Sequence, residues 1–139
     1  MNLPVAYLSR EDLVKINRRT LESHGGNFVP PENILKKGAL EYVVEIVQSS
    51  VFGEEAYPGV IQKAAVYLFQ ITNGHVFADG NKRTGLGACL LFLSLNLHGL
   101  NLERNSRELY SFVQDLASGL HTLDSVTAWL VQHVVPFSQ

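Results

Sequence analysis

Apolar residues recur at helical spacing along most of the chain, and this pattern predicts six helices. A first helix begins after Ser9, where Asp12 completes a capping pair. A second helix is predicted over about residues 35–48, where apolar side chains again follow the helical period. The inward stripe of the first helix consists of Leu13, Ile16, Thr20 and Leu21.

The two most apolar helices are predicted in the middle of the chain. The third opens at Pro58, a residue favoured in the first helical turn, and runs to about Thr72. The fourth begins near Asn81 and ends at residues 97–99, where His98 beside Gly99 fits the electrostatics of a helix end. Both carry apolar residues on more than one face, which is typical of helices buried on several sides. We therefore expect them to form the centre of a bundle.

The fifth and sixth predicted helices complete the bundle. The fifth ends at Gly119, and the sixth is capped by Thr122 and carries Trp129 as a core anchor. Alternation typical of strands is nearly absent, and residues 28–33 contain two prolines that predict an ordered loop. The sequence thus predicts an all-α fold, a compact helical bundle of about six helices with a small extended flap, and a single domain over residues 1–139.

Composition narrows the function classes. The chain has 139 residues, of which 46% are hydrophobic and 17% charged, as in globular proteins. Its net charge of −2 gives no overall electrostatic attraction to nucleic acid. The single Cys89 lies in an apolar run, where we expect a buried thiol in a reducing compartment. No signal peptide and no stretch long enough to span a bilayer is visible, so a cytoplasmic location without a membrane partner is expected.

Several charged residues outside the central motif are expected to be solvated. Arg10 and Arg18 fall on the outer faces of the first predicted helix. Glu54 and Glu55 are adjacent in a connector, and neighbouring loop side chains point in different directions. Neither pair therefore predicts a binding site.

Residues 75–84 concentrate the chemistry of the chain immediately before the apolar fourth helix. A helix start attracts anions, above all phosphate, and Lys82 and Arg83 add full positive charge there. Asp79 is a candidate ligand for Mg²⁺, which suits a site of one carboxylate, waters and phosphate oxygens. His75 is the candidate base for removing a proton from an attacking hydroxyl. A purely structural helix cap would need neither the histidine nor two cations, so the cluster favours nucleotide-dependent group transfer.

The motif resembles the signature of the Fic/Doc family, specifically its death-on-curing (Doc) branch. The matching positions are His75, Phe77, Asp79, Gly80, Asn81, Lys82 and Arg83. The resemblance continues over nearly the whole chain, for example at residues 16–18, 52–54 and 128–130. A signature of this length in a helix–loop–helix setting is a specific signal.

The resemblance implies a role for each matching residue. His75 corresponds to the histidine that deprotonates a hydroxyl of the target protein, and Asp79 corresponds to the acid that binds Mg²⁺. The glycine, asparagine and basic residues surround the nucleotide phosphates, and the phenylalanine anchors the loop. These last positions are Gly80, Asn81, Lys82, Arg83 and Phe77. ATP is then the co-substrate.

Two motif positions favour one chemistry within the family. Adenylylating members carry a small residue where this chain has Lys82, and a second arginine where it has Leu86. The resemblance implies that Doc-like members share both changes and bind the nucleotide in the reverse sense, presenting the γ-phosphate. The flap also differs, because Pro30, Pro31 and Glu32 stand where many Doc-like chains carry an Arg–Asp pair.

Three hypotheses follow from these patterns. The favoured one is a Doc-like toxin that phosphorylates a Ser or Thr hydroxyl of a translation factor, by resemblance elongation factor Tu, and so blocks translation. The alternatives are a Fic-type protein adenylyltransferase and an inactive binding module of the same fold. The self-inhibitory signature of the family is missing from its nearest match, residues 50–55. The resemblance therefore implies a separate antitoxin with a disordered inhibitory tail.

Overall fold

The computed structural model describes residues 3–137 and contains six helices and four short strands. Their order along the chain is α1 (Arg10–His24), α2 (Lys37–Ile46), β1 (Ser50–Val51), β2 (Glu54–Glu55), α3 (Val60–Asn73), α4 (Asn81–Leu95), β3 (His98–Leu100), α5 (Arg107–Ala117), α6 (Leu123–His133) and β4 (Val134–Pro136). The predicted all-α fold with about six helices is thus confirmed.

Helices α3 and α4 pack side by side at the centre, as predicted. Residues 63–68 of α3 are buried in succession, which requires neighbours on every side of that helix. Helices α1, α2, α5 and α6 surround this pair, and their buried residues join one continuous core. Cys89 lies in that core, where burial raises the pKa of its thiol to about 12. The prediction of a buried cysteine is confirmed.

The predicted cap residues are found at two helix starts. Ser9 and Asp12 form a reciprocal capping box on α1, and Thr122 caps α6. Trp129 stacks on Phe112 with ring centroids 4.0 Å apart, which confirms its packing role. Local sequence signals therefore predict these two helix starts.

Two predicted helix starts are wrong by two residues. Helix α2 begins at Lys37 because the preceding N–H groups of Leu35 and Lys36 donate to the carbonyl of Val76, at 2.8 and 3.1 Å. Helix α3 begins at Val60 because Gly59 has a φ of +87°, outside the helical region. Pro58 therefore lies before the helix.

The strands form two antiparallel two-stranded sheets at chain connections. Strands β1 and β2 make a hairpin between α2 and α3, and β3 pairs with β4. His98 accordingly lies in a strand, which corrects its interpretation as a helix-end residue. The predicted flap, residues 28–33, is followed by Ile34, which forms an isolated bridge with Phe77 of the motif loop. No helix among residues 3–137 is long and apolar enough to cross a membrane.

Some charged residues expected in solvent make specific contacts. The side chain of Lys63 is only 1% exposed, and its Nζ lies 2.9 Å from Glu55 Oε1, so this pair fastens the β1–β2 hairpin to α3. Arg10 forms two bonds to Glu32, at 2.7 and 3.1 Å, and Arg18 donates to the carbonyl of Pro31. The bond to Arg10 lowers the pKa of Glu32. These contacts hold the flap against α1.

Candidate active site

The motif loop between α3 and α4 is fixed at its apolar positions and leaves His75 at the surface. Gly74 ends α3 where a Cβ atom would lie 2.3 Å from the carbonyl oxygen of Gln70, so only glycine fits. His75 follows with a φ of +51°, and its side chain is exposed. The next two residues, Val76 and Phe77, are completely buried. The imidazole is thus presented to solvent by a turn whose neighbours are anchored in the core.

Asn81 closes the loop through its side chain. Its Oδ1 accepts from the N–H of Phe77 at 2.9 Å, and its Nδ2 donates to the carbonyl of Phe77 at 2.8 Å. Both functional groups of the amide therefore serve the loop. As the first residue of α4, Asn81 also contributes a backbone N–H to the set that a helix leaves without an intrahelical partner. Of the polar groups of Asn81, the backbone N–H is therefore the one available to an anion at the start of the helix.

The carboxylate of Asp79 is held by two backbone donors. Oδ2 accepts from the N–H of Asn27 at 2.9 Å, and Oδ1 accepts from the N–H of Gly80 at 2.7 Å. These bonds lower the pKa of Asp79, so its charged form is favoured. Gly26 passes so close that a Cβ atom would lie 2.9 Å from Oδ2. The segment after α1 is therefore part of the site.

This carboxylate fits an open magnesium site. No group of three or more His, Cys, Asp or Glu side chains capable of holding a metal occurs among the described residues. A closed protein cage is thus missing from that part of the chain. A single ionised carboxylate at a helix start matches the preference of Mg²⁺ for one or two carboxylates, waters and substrate phosphates.

The start of α4 is built to expose its positive end. The residue before it, Gly80, is in the left-handed conformation with a φ of +80°. As a glycine it has no side chain to cap the first N–H groups of the helix. The first turn contains no acidic residue and carries Lys82 and Arg83 instead. Because cations are unfavourable at a helix N-terminus, this arrangement favours an anion at the same place.

Lys82 and Arg83 face a groove between α4 and α5. The ammonium of Lys82 donates to Oε1 of Gln114, whose Nε2 donates to the hydroxyl of Tyr110 at 3.2 Å. The groove has a volume of about 530 Å³ and combines basic, aromatic and apolar side chains. A second cavity of about 590 Å³ on the α1 side shares Arg83, Leu86, Arg104 and Asn105 with it.

The structure thus brings some predicted site residues together and separates others. Asp79 faces the segment after α1, Lys82 faces α5, and neither cavity is lined by His75. Sequence reasoning missed the contribution of α5 and of the loop before it. The signal was the basic pair Arg104 and Arg107, which line the groove.

Two buried asparagines behind the loop were also missed. Asn17 on α1 and Asn33 in the flap are both 0% exposed. Asn17 Nδ2 donates to the carbonyl of Asp79 at 2.9 Å and to Thr84 Oγ1 at 3.0 Å. Asn33 Nδ2 donates to Asn17 Oδ1 at 2.9 Å and to the same carbonyl at 3.3 Å. The site therefore has a polar support inside the core.

Comparison with known proteins gives a consistent result. Residues 7–93 match the model of the Fic/DOC family, a range that includes α1–α3, most of α4 and the whole motif. A protein named Toxin Doc from Mycolicibacterium smegmatis is 31% identical over 124 residues, covering 89% of this chain and 90% of that protein. Protein kinase doc from Escherichia phage P1 is 32% identical over 120 residues, covering 86% and 89%.

Proposed function

Because the chain belongs to the Fic/DOC family, we propose that it is a toxin that transfers the γ-phosphate of ATP to a protein hydroxyl. The observation that carries the proposal is the start of α4, where an uncapped positive helix end, two cations and an ionised carboxylate occur together. Phosphoryl transfer needs mainly positioning and charge neutralisation. These residues are suited to both.

Each residue then has a defined part in the reaction. His75 takes the proton from a Ser or Thr hydroxyl of the target as its oxygen bonds to the γ-phosphorus. The bond from that phosphorus to the β–γ bridging oxygen breaks, and ADP leaves. Backbone N–H groups from Asn81 onward, with Lys82 and Arg83, bind the phosphate oxygens, and Gly80 lets the chain approach them closely. Mg²⁺ held by Asp79 would neutralise phosphate charge when bound.

The groove between α4 and α5 supports this choice of substrate. Its charged part is lined by Lys82 and Arg83. Its apolar part is lined by Leu86, Val113 and Tyr110. A volume of about 530 Å³ accommodates a nucleoside. The proposed arrangement puts the terminal phosphate at the start of α4 and the base against the apolar wall.

Leu86 favours transfer of phosphate over transfer of AMP. It lines both cavities, and it occupies the position at which the resembling adenylylating enzymes carry an arginine for the distal phosphates. A leucine there offers no charge to hold those phosphates away from His75. The reverse orientation of ATP follows as part of the proposal.

The relatives support the wider biological role. One is named as a toxin and another as a protein kinase. We therefore propose a translation factor in the cytoplasm as the target, with elongation factor Tu as the first candidate by resemblance. A separate antitoxin with a disordered tail is the proposed inhibitor. The described residues offer no complete self-inhibitory motif that would replace it.

The decisive experiment follows the label of ATP. Purified protein is incubated with elongation factor Tu, or with cell extract, and with ATP labelled at either the γ- or the α-phosphate. We expect γ-label in the target, with the mass increase of a phosphate. Label from the α-phosphate alone would establish an adenylyltransferase, and label from neither would favour the inactive binding module.

The matched controls are two histidine variants. His75→Ala should abolish transfer, since it removes the proposed base, while His98→Ala alters a histidine in β3 that the reaction does not use. Both proteins are compared by thermal unfolding before the assay. Full transfer by a folded His75→Ala protein would contradict the assignment of the base.

A further inference from the structure

We infer that Asn17 and Asn33 are positioning residues for Asp79, an inference that rests on the proposed function of the motif. Neither residue belongs to the motif, and they come from α1 and from the flap. Their side-chain amides meet behind the backbone of Asp79. Through them, two distant parts of the chain set the direction of one carboxylate.

The first argument is burial. Asn17 occupies the inward face of α1 between Leu13 and Leu21, and all three side chains are buried. An apolar residue there would satisfy packing without further requirements. A buried amide is unfavourable unless each of its polar atoms has a partner. Its presence therefore demands a reason in the groups that it binds.

The second argument is the identity of those groups. Asn17 Nδ2 bridges the carbonyl of Asp79 and the hydroxyl of Thr84, at 2.9 and 3.0 Å. It thereby joins the last residue before Gly80 to the first turn of α4. Asn33 Nδ2 reaches the same carbonyl and also Asn17 Oδ1, so the two amides orient each other. The remaining oxygen, Asn33 Oδ1, accepts from the N–H of Val29 at 2.8 Å.

The third argument is the backbone of Asn33. Its φ of +61° is unusual for a residue other than glycine, although asparagine adopts it more readily than most. In this conformation its carbonyl accepts from the N–H of Ala78 at 2.8 Å. The flap is therefore bound to the motif loop at two successive residues, Ala78 and Asp79.

Together these bonds hold both the backbone carbonyl and the side-chain carboxylate of Asp79. Its carbonyl accepts from two side-chain amides, and its carboxylate accepts from the N–H groups of Asn27 and Gly80. The direction of the carboxylate depends on the orientation of the 79–80 peptide, which the amides fix. Groups that orient a metal ligand from behind typically change metal affinity or activity by about 10- to 100-fold when removed.

The test uses Asn17→Ala, Asn33→Gly and the double variant, with Asn96→Ala as matched control. Glycine at position 33 retains the positive φ and removes only the side chain. Asn96 is also a partly buried amide with backbone partners, binding both backbone groups of Ala6, but it lies at the far end of α4. Thermal unfolding of all four proteins measures the purely structural cost.

The first readout is the affinity for Mn²⁺ in the presence of ADP, measured by electron paramagnetic resonance. The kcat and KM for transfer are measured alongside it. We expect each site variant to bind Mn²⁺ about tenfold or more weakly and to lose kcat, while Asn96→Ala loses only thermal stability. The double variant should lose less than the product of the two single effects, because the amides act as a unit.

The second readout needs neither nucleotide nor activity. Hydrogen exchange at the N–H groups of Asn27 and Gly80 reports directly whether the carboxylate still accepts their bonds. We expect faster exchange there in Asn17→Ala and Asn33→Gly, with exchange in α3 unchanged. If these amides stay protected and Mn²⁺ affinity matches that of Asn96→Ala, the positioning role is refuted. Failure of the wild-type protein to transfer label would instead refute the proposed function, and the exchange comparison would stand.

Discussion

Replacing Gly26 with alanine should damage the site more than the fold. Gly26 follows α1 with a φ of +133°, and its backbone passes directly beside Asp79. A Cβ atom would lie 2.7 Å from Leu21 Cδ2 and 2.9 Å from Asp79 Oδ2. The leucine methyl is the end of a flexible side chain, whereas the carboxylate is held by two backbone bonds. The strain therefore falls on Asp79.

The size of the effect of Gly26→Ala has two parts, the backbone strain and the displacement of the Asp79 carboxylate. Alanine at a strongly positive φ costs about 1–3 kcal/mol, which corresponds to roughly 3–12 °C in the unfolding midpoint of a domain of this size. Ordinary van der Waals contacts begin at 3.4 Å, so Oδ2 must move by about half an ångström from its position at 2.9 Å. A misplacement of about 1 Å in a catalytic arrangement can reduce the rate about 100-fold. We expect about a tenfold loss in transfer rate from the displacement.

Gly25→Ala separates these two terms. Gly25 also has a positive φ, of +80°, yet a Cβ atom there would meet no other atom within 4 Å. This variant therefore carries the backbone strain without the collision. The assay compares both variants in thermal unfolding, in binding of ADP with Mg²⁺ by calorimetry, and in transfer of γ-label.

Comparable losses of activity in the two variants would refute the reasoning. In that case the strain of the loop, and not the position of the carboxylate, would control the site. The expected result is similar thermal destabilisation with a loss of Mg²⁺-dependent nucleotide binding that is specific to Gly26→Ala. Binding of ADP in the presence of EDTA should differ little between the two.

Three further predictions concern single groups. Asp79→Asn should retain the fold and lose most transfer, because the amide lacks the charge that is proposed to hold Mg²⁺; wild-type transfer in EDTA would contradict the metal assignment. Since the pKa of Asp79 is depressed, its contribution to stability is complete above its ordinary pKa of 3.8 and is lost as the pH falls through the lower folded value. The difference in unfolding midpoint between wild type and Asp79→Asn should therefore narrow below pH 3.8. Cys89 should react with a thiol reagent only as the protein unfolds, monitored by absorbance in a urea titration. Glu55→Ala should lower the free energy of unfolding by about 1–2 kcal/mol more than Glu54→Ala, because it leaves the buried ammonium of Lys63 without its carboxylate; equal urea midpoints would contradict this.

The sequence was most informative where structure depends on neighbouring residues. The capping box of Ser9 and the cap at Thr122 are contained within four-residue windows, and both were predicted correctly. The motif placed Asp79 and Lys82 at the start of a helix because the apolar run after them is unmistakable. Local signals therefore predicted the elements and the location of the candidate site.

The support of the site could not be predicted in the same way. Asn17 is separated by 62 residues from the carbonyl that it binds, so its burial depends on how α1 packs against the motif loop. Lys63 likewise follows an ordinary helical pattern, and only its contact with Glu55 explains a buried ammonium. Even the start of α2 is set by the carbonyl of Val76, which lies 40 positions along the sequence from Lys36. Polar contacts across the fold leave no periodic trace in the sequence.

The distribution of charge at helix starts is consistent with the proposed binding of a nucleotide by a chain whose net charge is −2. Helices α1, α5 and α6 have acidic residues in their first turns, as the helix dipole favours. Helix α2 begins at Lys37, and α4 carries Lys82 and Arg83 in its first turn. The starts of both helices are bonded to the motif loop, at Val76 and Phe77. Each such cation weakens its helix by about 0.3–1 kcal/mol in the absence of an anion. A phosphate bound at the start of α4 would offset that cost, and a local positive field can raise the rate of association with an anion.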